Sequence, residues 1–120
     1  MKTTPAHFKT FCDYARIHVA AFGLTDWEIS YEHAQVEGFF ATASTNLAAR
    51  KATITLSVDV GNDAPTDEML DKSALHEVLH VLLAPLADLI VTDRKVTHKE
   101  AEGAEHGIVM RLLAILEGKL

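Results

Sequence analysis

His76-Glu77-Val78-Leu79-His80 places two imidazoles four residues apart, with a carboxylate directly after the first. On an α-helix, positions four apart share a face, so both imidazoles can converge on one ion. Glu77 is turned aside, within reach of a water molecule but not of the ion itself. The combination suits metal-assisted hydrolysis, in which histidines hold a Lewis acid and a carboxylate moves a proton. The flanks argue against coincidence. Ala74-Leu75 precede the motif and Val81-Leu82-Leu83 follow it, so two histidines and a glutamate fall in an apolar helix. Each unpaired polar group there costs on the order of 1–3 kcal/mol.

A catalytic zinc site takes three protein ligands and keeps a position open for water. The metzincin continuation requires Gly and His at fixed offsets after the second histidine, and this chain has Leu83 and Leu86 there. The third ligand must then come from elsewhere. The segment from His98 offers Glu100, Glu102, Glu105 and His106. Glu105 aligns at helical spacing with Ala101, Ile108, Leu112 and Ile115, and equally with Val109 and Leu116, which centres it on an apolar face. A carboxylate so placed must be paired or bound to metal. The assignment is one zinc per chain on His76, His80 and Glu105, with Glu102, His106 and His98 as alternatives for the third position.

The elements that position these residues follow from periodicity. Pro5 suits a first helical turn, and Phe8, Phe11, Cys12, Ala15, Val19 and Phe22 recur at helical spacing up to a stop at Gly23. Cys12, the single cysteine, lies on that apolar face and reads as a core residue. From Trp27 the period changes to two. Ile29, Tyr31 and His33 alternate with polar residues, as do Ile54, Leu56 and Val58 with Thr53, Thr55 and Ser57, and Val36 to Ser44 lies between them as a partner strand. Short turns predict an antiparallel meander. Strand packing is the expected use of Trp27, Tyr31 and His33, and surface or capping positions that of His7, His18 and His98. The active-site helix should run from Thr66 to Ala84 and end or kink at Pro85, whose ring nitrogen cannot bond the Val81 carbonyl. Thr97-His98-Lys99-Glu100 has capping-box spacing and opens a last helix to about Glu117, stopped by Gly118. The expected fold is thus α+β: one domain over 1–120 with an N-terminal helix, a three-stranded mostly antiparallel sheet, a motif-bearing helix and a C-terminal helix carrying the third ligand.

Composition narrows the function. The chain has 120 residues, 48% hydrophobic and 23% charged, enough for one core without staples. Its formal charge of −6 and scattered basic residues exclude a phosphate-tracking stripe, so no nucleic-acid partner is expected. The N-terminus has no apolar run. The stretch from Ala74 to Val91 is interrupted by His76, Glu77, His80, Pro85 and Asp88, so no membrane partner is expected, and the single cysteine, Cys12, with no partner in the sequence for a disulfide, makes a cytoplasmic setting the default expectation.

His76-Glu77-x-x-His80 with a downstream helical Glu105 resembles the gluzincin arrangement of zincin metallopeptidases. The order of helix, strand meander, active-site helix and glutamate helix resembles small predicted metallopeptidases of bacterial and phage genomes. The resemblance implies a zincin-like domain in which zinc polarises a peptide carbonyl. Glu77 would take a proton from a metal-activated water and later give it to the leaving amine. It also implies that Ala52 to Val58 is the edge strand along which an extended peptide or protein substrate pairs. The expected function is a zinc-dependent metallopeptidase; the alternative is a non-catalytic module that binds metal or presents a peptide groove.

Overall fold

Three threonines begin the three helices. Thr4 accepts the His7 amide and the His7 ring accepts the Thr4 amide, a reciprocal box that opens α1 (Pro5–Ala21). Thr66 accepts the Met69 amide (3.2 Å) ahead of α2 (Asp67–Thr92). Thr97 accepts the Glu100 amide (3.1 Å) and donates to its carboxylate ahead of α3 (His98–Lys119). In this computed structural model the described residues are 1–92 and 97–119, without the side chains of 89–92, 98, 101, 115 and 117–119. The expectation for His98 as a ligand, and the placing of Ala101 and Ile115 on the inner face, lie outside the described side chains.

Pro85 does not end α2, which continues to Thr92. A proline deprives one carbonyl of its partner, and helical bonding can resume beyond it. α3 likewise runs through Gly118 to Lys119.

The strands are β1 (Glu28–Ala34), β2 (Ala41–Asn46) and β3 (Lys51–Ser57). They form a mixed sheet in the order β1-β3-β2, with β3 parallel to β1 and antiparallel to β2. This corrects two expectations. The sheet is not a meander in chain order, and the strand before the motif-bearing helix is central rather than an edge. The physical reason lies in β3 itself. Its backbone pairs along both edges, with β1 and with β2, and a strand so enclosed can bury residues of both faces, as Ala52, Ile54, Thr55, Leu56 and Ser57 are buried here. Residues 35–40 carry the chain past the end of β3 with Gly38 at φ 76°, and Val36 to Phe40 belong to this crossover rather than to a strand. Ser57 is fully buried and pins the crossover. Its hydroxyl receives the Val36 amide (3.3 Å) and donates to the Asp59 carbonyl (2.7 Å).

The main core joins α1 (Phe11, Cys12, Ala15), the inner sheet face (Ala41, Ile54, Leu56) and one side of α2 (Leu70, Ala74, Val78, Val81). A second, smaller cluster of Leu75 and Leu79 with Val109 and Leu113 seats α3 on the other side of α2. α2 is therefore covered by α1, the sheet and α3, as its apolar sequence demands. Among the described residues no helix is long and apolar enough to cross a membrane.

Candidate metal centre

The motif falls in the middle of α2, where the helix passes between the sheet and α3. His76 and His80 are half-buried and stand one turn apart, with their Nε2 atoms 3.2 Å from each other. Two imidazole nitrogens bound to one tetrahedral zinc stand about 3.3 Å apart, given zinc–nitrogen distances near 2.0–2.1 Å. The pair therefore has the separation that a shared ion requires. His106 of α3 completes the group, its ring centroid 5.5 Å from that of His76 and 6.2 Å from that of His80. The ligating atoms of the three all lie within 4.8 Å of one another, close enough to bind a metal ion.

The electrostatics favour ligation. Burial and the neighbouring His80 and His106 rings hold His76 down at about 4, so near neutral pH its nitrogen lone pair is free. Glu77 is only 7% exposed, and burial pushes its carboxyl up to about 7. A group so tuned exchanges a proton readily at physiological pH, as a general base must.

Glu105 lies on the inner face of α3, 17% exposed, and its Oε1 stands 3.3 Å from Nδ1 of His80. The structure thus gathers His76, His80 and His106 into one group, and Glu105, which lines the same cleft, stands against the ring nitrogen of His80 opposite the one facing His76. Burial ranked Glu105 above His106 in the sequence because a carboxylate on an apolar face demands a partner. The ligands of an open site obey a different rule: water must reach the ion, so they stand at the margin of the buried stripe. His106 is exposed, yet it is three residues from Val109 and seven from Leu113, both buried against α2. That spacing is the signal that could have selected it. Ile108, expected on the inner face, is 38% exposed, so α3 settles with its Val109–Leu113 side against α2.

Glu102 lines the cleft in front of the histidines, while Glu100 serves the cap. Tyr31 lies beneath the Arg16 guanidinium (4.9 Å), His33 stacks on Phe8 and contacts Thr3 Oγ1 (2.6 Å), and Trp27 is buried beside Arg50. None of the three lines the cleft. His7 completes the capping box of α1 begun by Thr4, and His18 pairs with Asp71 of α2 at 2.6 Å.

The cleft holds about 940 Å³, and His76, Glu77, His80 and His106 form one part of its wall. Ala41, Thr42 and Ala43 of β2 form another, and β2 is an edge of the sheet. Comparison with protein-family models, with curated proteins and with solved structures finds no match to this chain.

Proposed function

We propose that this chain is a zinc-dependent metallopeptidase of zincin-like design, with His76, His80 and His106 as ligands and Glu77 as general base. The observation that carries the reading is the convergence of three imidazoles from two helices beside a buried carboxyl, in a cleft open to solvent. The donor set fits the ion: borderline-soft zinc favours neutral imidazole, and three such ligands leave a coordination position for water. Once bound, zinc would supply Lewis-acid activation of that water and of the substrate carbonyl.

The chain's own residues do the rest. Glu77 accepts the proton of the attacking water and delivers it to the departing amine, a transfer its raised proton affinity favours. Glu105 Oε1, 3.3 Å from Nδ1 of His80, would favour the tautomer that keeps the proton on Nδ1 and leaves the Nε2 lone pair for the ion. β2, an edge strand among the described residues, would give an extended peptide a backbone to pair with in the cleft that the histidines line.

The test is the metal content of protein purified without added zinc or chelator, with hydrolysis of a mixed peptide library by the native chain and by Glu77→Gln. About one zinc per chain in both proteins, with turnover lost only in the variant, is the expected result. Zinc in both with turnover in neither would mark a non-catalytic metal-binding module. No zinc in either, even after addition, would overturn the site.

A further inference from the structure

Large apolar side chains are left in water where they gain nothing for the fold. Phe39, in the crossover before β2, is 68% exposed, and Met110 on α3 is 44% exposed. A lone exposed apolar residue is ordinary, but these two come from separate elements and line the same cleft as the three histidines. Met69, from the first turn of α2, and Phe40 line it with them. One cavity thus carries, besides the three histidines and Glu77, large apolar side chains from the crossover, α2 and α3.

We infer that this part of the cleft is a side-chain subsite, and that the substrate is an extended peptide with a large apolar residue, aromatic or Met/Leu-like, close to the bond that is cut. The inference rests on the metallopeptidase reading for the word substrate, but the binding preference stands on the cavity itself. An occupant must present an amide to Glu77 and the histidines, a main chain to β2 and an apolar group to Phe39 and Met110, and a peptide has all three. The aromatic rings contribute rigid contact surface. The methionines contribute adaptable surface, which suits several apolar side chains rather than one.

The measurement is fluorescence anisotropy of labelled, end-blocked hexapeptides bound to the zinc-supplemented Glu77→Gln protein, which is built to retain peptides. One peptide carries Phe at its third position, and the other carries Asp there. The Phe peptide is expected to bind at least tenfold more tightly. That preference should fall several-fold in Phe39→Ser and in Met110→Ser, with circular dichroism and metal content unchanged. Both side chains are exposed, so both variants should fold. Equal binding of the two peptides, or a preference that neither substitution moves, would overturn the subsite. Cleavage of the same peptides by the native chain separates the two ideas. Preferred binding without turnover leaves the subsite standing and sinks catalysis, and turnover without preference sinks the subsite alone.

Discussion

Glu77 and His76 are adjacent, and burial moves their proton affinities in opposite directions. The Glu77 carboxyl rises from 4.5 to about 7, so the folded protein holds a proton there that the unfolded chain releases. Stability must therefore fall as pH rises across that window, by on the order of 3 kcal/mol once the carboxylate is fully ionised. His76 falls from 6.5 to about 4, so between those values the unfolded chain binds the extra proton and stability rises with pH. In metal-free protein the two slopes oppose each other up to pH 6.5, above which only the Glu77 slope remains. Glu77→Gln should abolish the loss between pH 6.5 and 8 and uncover the His76 slope below it. Urea unfolding in the presence of chelator reads both, and identical pH profiles for the two proteins would refute the account. The neighbouring question is which residue of α3 holds the ion. His106→Ala should weaken zinc binding more than a hundredfold, whereas Glu105→Gln should weaken it about tenfold, the size typical of a group that only orients a ligand. Competition titration with a chromophoric chelator measures both. The reverse order would make Glu105 the ligand.

α3 is held to the molecule through α2 among the described residues. Val109 and Leu113 pack on Leu75 and Leu79, a cluster separate from the main core, and α2 and α3 also meet at the histidine group and where Glu105 stands against His80. An ion shared by His76, His80 and His106 would cross-link the two helices, so zinc should protect α3 far more than α1 or the sheet. Hydrogen exchange should show amides of residues 102–114 exchanging at least tenfold faster after chelation, with those of β3 unchanged. Uniform loss of protection across the chain would instead mean that the ion stabilises the whole fold. Leu79→Ala, at a fully buried position of the seating cluster, should destabilise the protein by about 2–5 kcal/mol. These elements were largely readable in advance, because capping threonines and apolar spacing are local signals. Thr4-Pro5, Thr66 and Thr97 each mark a helix start that the structure keeps. Pro85 misled because a proline removes one hydrogen bond, and whether the helix survives that loss is settled by packing around it. The motif on α2 was legible for the same local reason. Burial along α3 points to Glu105, whereas the grouping of His106 with His76 and His80 depends on how α3 packs against α2, which no local spacing states.

Sheet order is a property of the whole molecule, and alternation along a strand says which side chains face inward without saying which strands are neighbours. Ile54 and Leu56 marked β3 as a strand, but its central place depends on Thr55 and Ser57 being buried on the other face, and their hydroxyls disguised this. Ser57 makes the arrangement possible. Its hydroxyl takes amides from both Val36 and Asp59 (each 3.3 Å) while donating to the Asp59 carbonyl, and the Ser57 amide donates to the Phe40 carbonyl (2.9 Å). The side chain thus holds the crossover that sends β2 to the far side of β3 and carries Phe39 and the β2 edge to the cleft. Ser57→Ala would leave two amides without their acceptor, and each such loss costs about 1–3 kcal/mol. We expect a total near 3 kcal/mol in urea unfolding. The exposed Ser44 of β2 supplies the control, since Ser44→Ala should change stability by less than about 0.5 kcal/mol. If the crossover also sets the cleft, Ser57→Ala should weaken peptide binding while leaving zinc affinity unchanged, because the three histidines are carried by α2 and α3 alone. Loss of zinc together with peptide binding would show instead that the sheet and the metal centre fold as one unit.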